Sequence, residues 1–171
     1  VSFLRLLVSA GAETTFHLLG STLHVLLADP ALQERVRKDR EQIEPLLWET
    51  LRWETPVALL PRDAVEATEI AGTRIPKDAE LMVLLGSASR DEAHYDDPDR
   101  FDIERDNDDT LAFGLGKHYC AGSRLALLEA RVGLEALLDR MGELRPAPGA
   151  RSRIIGFAFR GPDRLPVRAG A

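Results

Sequence analysis

Phe113-Gly114-Leu115-Gly116-Lys117-His118-Tyr119-Cys120-Ala121-Gly122 is the stretch on which the reading of this chain turns. Cys120 is the only cysteine, so it closes no internal disulfide. Gly114 and Gly116 admit backbone angles or close approaches that a Cβ would block. The apolar run after Cys120 reads as a helix, whose first N–H groups and positive dipole end point back at the sulfur and favour thiolate over thiol. Gly122 removes a side chain from the face on which a flat macrocycle would lie. An isolated cysteine is ordinarily a small buried hydrophobe. Here the shielding Phe113, the glycines and the basic His118 stand at fixed offsets from it, and together they point to an axial haem ligand.

This stretch resembles the haem-ligand motif of the cytochrome P450 family: Phe, two residues, Gly, one, Arg or His, one, Cys, one, Gly. Phe113, Gly116, His118, Cys120 and Gly122 meet every position, with His118 where Arg is commoner. The resemblance implies a mainly α fold with small antiparallel β sheets and haem b bound through Cys120. Phe113, Gly114, His118 and Gly122 would lie around the cofactor. It also implies a monooxygenase that inserts one atom of O2 into a small apolar organic substrate. Its electrons would come from a ferredoxin or flavodoxin-type donor, met by basic residues such as Lys117 and Arg124.

The bulk numbers agree with a globular protein. The chain has 171 residues, 44% of them apolar and 29% charged, enough for a real core. A net charge of −6 argues against a general binder of nucleic acid or anionic membrane. A lone cysteine suits a reducing cytosol, no signal-peptide pattern is visible, and the expected location is cytoplasmic. The most apolar span, Leu6 to Ala28, carries Glu13 and two histidines and contains no uncharged run of membrane-spanning length. Members of the resembled family are more than twice as long. Residues 1–171 are therefore expected to be a single C-terminal haem-binding portion with the N-terminal half absent. One alternative is a truncated, non-catalytic haem-binding or inactive remnant, and another is an interaction module built from the same helices.

Val1 to Ala28 reads as one long helix, with Ser2 as its only candidate cap and apolar residues on nearly every face, as in a helix buried in protein. Its middle, Ala10-Gly11-Ala12-Glu13-Thr14-Thr15, breaks that pattern. Thr14 lies one turn beyond Ala10, so its hydroxyl can bond the Ala10 carbonyl and open the helix locally. Ala10 and Gly11 leave room for a ligand beside the backbone, and a carboxylate next to a hydroxyl is suited to passing protons. The segment resembles the family's oxygen-activation motif. There the alcohol steadies dioxygen and the acid supplies protons, roles that fall on Thr14 and Glu13.

Asp29-Pro30 opens a short amphipathic helix with Leu32 and Val36 facing in, and another runs from Ile43 to Trp53. On the latter Glu49 and Arg52 share a face three residues apart. With Trp53-Glu54-Thr55-Pro56 following, they resemble the family's Glu-x-x-Arg element. Its partner there is an arginine of the later meander, for which Arg100 is the best match, and the trio is read as a structural clamp.

Arg62 to Gly86 changes to strand-like alternation and turns, fitting a small antiparallel sheet, with Leu81 to Leu85 β-prone. Arg62 corresponds by placement to an arginine that pairs with a haem propionate. Ser87 to Asp91 resembles a short helical turn of the family. His94 to Thr110 is acidic and aperiodic, a meander leading to the cysteine; its Asp run lacks the glycine and terminal Glu of a calcium loop. After Cys120, Leu125, Leu128 and Val132 form an apolar stripe, widened by Leu127, Leu134, Leu138 and Met141, in a helix ending near Gly142. Pro146 to Gly149 is a turn. Ile154 to Phe159 and Leu165 to Arg168 read as a terminal β-hairpin, and by resemblance Ile155 to Phe157 line a substrate pocket.

Overall fold

The computed structural model describes residues 2–170, so Val1, expected at the start of the first helix, lies outside them. The helices are α1 (Ser2–Ala28), α2 (Pro30–Lys38), α3 (Ile43–Trp53), α4 (Leu85–Ala88) and α5 (Ser123–Arg140). The strands are β1 (Leu60–Asp63), β2 (Thr68–Ile70), β3 (Thr73–Ile75), β4 (Glu80–Val83), β5 (Leu144–Pro146), β6 (Ile154–Ile155), β7 (Gly161–Pro162) and β8 (Val167–Ala169). Mainly α with small antiparallel sheets is the architecture expected from the sequence. Among the described residues, no helix is long and apolar enough to cross a membrane.

Local chemistry sets the helix boundaries. Asp29 accepts from the N–H groups of Ala31 and Leu32, both at 3.0 Å, and Pro30 opens α2 where its missing N–H costs nothing. Within α2, Gln33 is buried and ties three elements together. Its amide donates to the carbonyls of Leu26 and Leu144 at 3.1 and 3.0 Å, and the Leu144 N–H donates back to Gln33 Oε1 at 2.8 Å. The core forms where α1, α2, α3 and α5 converge, around Leu18, Leu26, Val36, Ile43, Leu47 and Leu134. Gly133 of α5 lies against Leu19 of α1, where an added Cβ would make an ordinary contact at 3.6 Å.

Three expectations need correction. First, α1 is buried only in its second half; Phe3, Leu4, Leu6, Leu7, Val8 and Phe16 are exposed, because no described element packs over them. Second, α5 turns a different stripe inward. Ala130, Leu134 and Leu138 are buried with Leu127 against them, whereas Leu125, Leu128 and Val132 are exposed. A helix with apolar residues on more than one face offers several stripes, and the position of α1 and α3 selects one.

Third, the β elements form four two-stranded sheets. In the first region β1 pairs with β4 around a separate β2–β3 hairpin, so there is no single sheet. At the C-terminus β6 pairs with β7 inside an outer β5–β8 pair. The expected hairpin of 154–159 with 165–168 is thus replaced by two nested ones. Gly156, at φ +103°, makes the tight inner turn.

Leu134→Ala is expected to cost about 2–5 kcal/mol in urea unfolding of the chain. Leu125→Ala, on the exposed stripe, should shift the midpoint far less; equal losses would contradict this packing.

Candidate haem site

The cysteine loop is held by its own backbone. Gly114 and Gly116 adopt φ +75° and +65°, which other residues reach only with strain. The Cys120 N–H donates to the Phe113 carbonyl at 2.9 Å, and the Gly114 N–H to Leu111 at 2.8 Å. A 3-10 turn over Gly116–His118 presents Lys117 and His118 outward. The final helix starts at Ser123 with Gly122 as its N-cap, two residues after the sulfur. Phe113 is fixed edge-on by Trp48 of α3, with ring centroids 5.7 Å apart. Trp48 was not identified from sequence, where it reads only as an apolar helix residue.

Cys120 is free and exposed. A Cβ at residue 122 would sit 3.9 Å from its Sγ, an ordinary contact, so nothing within the described chain requires glycine there. The bare face, the soft sulfur donor and the exposed apolar Leu115 and Tyr119 beside it fit a flat, largely apolar group ligated by sulfur. His118 and Arg124 are exposed on either side of Cys120. Arg62 is exposed on β1, its Nη1 donating to the neighbouring Pro61 carbonyl at 2.8 Å.

In α1 the Thr14 hydroxyl donates to the Ala10 carbonyl at 2.7 Å, and the helix stays continuous through it. Ala10, Gly11 and Glu13 are exposed, and a Cβ at Gly11 would meet nothing within 4 Å. Glu13 lies one turn from His17, with Oε1 3.8 Å from Nε2.

Behind the loop, Glu49 and Arg52 of α3 are both fully buried and joined by two bonds of 2.8 and 2.7 Å. Arg52 also donates to the carbonyls of Ser89 and Pro98 at 2.9 Å and of Arg100 at 3.2 Å. Glu49 accepts from the Asp102 N–H at 2.9 Å and from Asn107 Nδ2 at 3.1 Å. The charged partner that reaches it is Arg105, with Nε 3.6 Å from Oε1. Arg100, the partner expected from sequence, contributes only its carbonyl; its guanidinium is 63% exposed and pairs with Asp102. The Arg100 carbonyl accepts from Arg52 while its guanidinium is taken up by Asp102 two residues on. Nothing in the aperiodic acidic segment distinguishes Arg105 or Asn107 in advance.

The meander is pinned at its ends as well. Asp109 is bonded by His94 and, at 3.3 Å, by the hydroxyl of Tyr95. Its carboxyl is held below the usual range, first by the His94 bond. Asp102 is lowered too, first by the Glu104 N–H and then by Arg100. Burial and the neighbouring Asp109 push the Tyr95 phenol up.

The fold and the sulfur-centred loop together fit a portion of a haem-binding protein. The family profile described as Cytochrome P450 matches residues 3–142, and the chain belongs to the cytochrome P450 family. Cytochrome P450 107B1 of Saccharopolyspora erythraea is 39% identical over 174 residues, covering 100% of this chain and 43% of the relative. The structure of CYP109E1 from Bacillus megaterium in complex with testosterone superposes with a TM-score of 0.93 at 33% identity, over 99% of this chain and 48% of that one. P450BioI in complex with hexadec-9Z-enoic acid ligated acyl carrier protein superposes at 0.89 and 37% identity, over 96% and 43%. The chain thus spans less than half the length of these relatives. Family members are oxidoreductases of the monooxygenase type that bind haem b.

Arg105→Ala should lower stability by about 1–3 kcal/mol by stripping a charge from buried Glu49, while Arg100→Ala, which removes an exposed pair with Asp102, shifts the thermal midpoint less; the reverse order would restore Arg100 to the clamp. Because Asp102 and Asp109 are depressed in the folded state, their stabilisation is complete above about pH 4 and lost as pH falls through their folded values. Asp102→Asn and Asp109→Asn should each flatten the acid limb of a urea-midpoint profile, and an unchanged limb would show that these contacts do not persist in solution.

Proposed function

We propose that residues 1–171 form the single C-terminal haem-binding portion of a cytoplasmic monooxygenase that inserts one oxygen atom of O2 into an apolar organic substrate. The observation that carries this reading is a free, exposed cysteine held by the Phe113 carbonyl at the mouth of α5. Haem, when bound, supplies the redox centre at which dioxygen is activated. Cys120 Sγ would ligate its iron, and His118 and Arg62 would pair with its propionates. Phe113, Gly114 and Gly122 would lie beside the bound group on the cysteine side, and Ala10 and Gly11 would leave it room at α1.

Thr14 has one hydroxyl proton, committed to the Ala10 carbonyl, so its oxygen presents lone pairs to the notch. It therefore accepts a hydrogen bond from a water or a protonated oxygen and orients it. Glu13, exposed on the same turn, holds and returns the proton at its carboxylate. The exposed Ile155 and Phe157 offer an apolar wall to the substrate. A steroid and a fatty acyl chain in the related structures support that substrate class. A ferredoxin or flavodoxin-type donor would meet Lys117 and Arg124, charges that tune encounter more than affinity.

A second reading, a non-catalytic remnant, draws on the exposed apolar half of α1. Haemin added to the purified chain, reduced and exposed to carbon monoxide, separates the two. The thiolate-type red-shifted Soret band should appear and vanish in Cys120→Ala. Its absence in the unsubstituted chain would favour the remnant.

A further inference from the structure

His17 occupies an unusual place between α1 and the inner C-terminal hairpin. Its side chain is 18% exposed, against 52% for Glu13, so the imidazole is the fixed member of that pair. One edge of the ring faces strand β7. A Cβ at Gly161 would overlap Nδ1 and stand 2.9 Å from Cγ, so only glycine leaves the ring its place. One turn on, a Cβ at Gly20 would stand 2.9 Å from Pro162, the same close approach repeated. The charged neighbours on the hairpin are engaged elsewhere: Arg160 with Glu54 at 2.5 Å, and Asp163 with the Arg153 N–H at 3.1 Å.

Nδ1 is buried without a hydrogen-bond partner. A proton there would strand a donor, which proteins tolerate less readily than an unfilled acceptor. The neutral ring therefore carries its proton on Nε2, the edge turned to Glu13 Oε1 at 3.8 Å. That gap closes with a small torsion of the exposed Glu13 or with one bridging water.

We propose that His17 is a positioning residue for Glu13: clamped against Gly161, it holds the carboxylate along α1 beside Thr14 and ties its placement to the hairpin that carries Phe157. This rests on the reading of Glu13 as the proton-handling group. A ring that merely filled space would need no polar edge toward a carboxylate.

The first test is nitrogen NMR of the 171-residue chain with labelled histidine at about pH 8, where an ordinary imidazole is neutral. His17, assigned by its loss in His17→Gln, should show the Nε2–H tautomer, and its signals should move in Glu13→Gln. An Nδ1–H tautomer, or no response to Glu13→Gln, overturns the proposal without need of turnover. The second test uses the haem-loaded chain supplied with electrons by ferredoxin and reads hydrogen peroxide released per oxygen consumed. His17→Phe keeps the volume and should raise that leak about fivefold, the size of one lost hydrogen bond. His17→Gln, which restores a donor at the same reach, should stay near the unsubstituted value, and Gly161→Ala should behave like His17→Phe. A His17→Phe protein that leaks no more than the unsubstituted one overturns the proposal. Should Glu13→Gln itself leave the leak unchanged, the role given to Glu13 fails, whereas a large Glu13→Gln effect beside a silent His17→Phe removes only His17.

Discussion

Burying a guanidinium and a carboxylate with no solvent exposure costs several kcal/mol per ion unless every polar atom finds a partner. Glu49 and Arg52 meet that demand by recruiting groups from outside α3. The Arg52 fork is completed by carbonyls of Ser89, Pro98 and Arg100, and the Glu49 carboxylate by Asp102 N–H, Asn107 and Arg105. A segment without regular secondary structure is thereby fixed in one path, because any other path would leave a buried charge bare. That path delivers Ile103 to the core and Phe113 to Trp48. The cysteine loop is placed by a polar network whose last member, Asn107, lies upstream of Phe113.

The same clamp explains why the meander needs no helix or strand. Arg90 binds the Trp53 carbonyl through two nitrogens, at 3.0 and 2.6 Å, and lies 4.8 Å over the Trp53 ring. Side-chain donors here do what a backbone ladder does elsewhere. An acidic, proline-bearing composition, which on its own suggests disorder, becomes ordered because its carbonyls and carboxylates are the acceptors that buried cations require.

The apolar surface tells the complementary story. The first half of α1 and the 125–128–132 stripe of α5 are as apolar as the core yet exposed. The described residues pack against one side of each helix and leave these apolar side chains in water. The chain spans less than half the length of its relatives, and such surfaces are where further protein and a bound cofactor would remove apolar area from water. Ala10, Gly11 and Glu13 of α1 and Cys120 are exposed as well, whereas Glu49 and Arg52 are fully buried.

The sequence by itself determined the helices bounded by caps and prolines, the Glu49–Arg52 pair, the Thr14–Ala10 bond and the cysteine loop. Each of these is a local matter: residues within a turn or two meet whatever the rest of the chain does. Tertiary structure alone decided that Arg105 and not Arg100 completes the clamp, which stripe of α5 faces inward, and how the terminal strands nest. It also decided that His17 is wedged between Gly161 and Glu13. These depend on which distant segments approach one another, and helices with apolar residues on more than one face, or a meander rich in interchangeable arginines and aspartates, do not encode that choice in any local spacing.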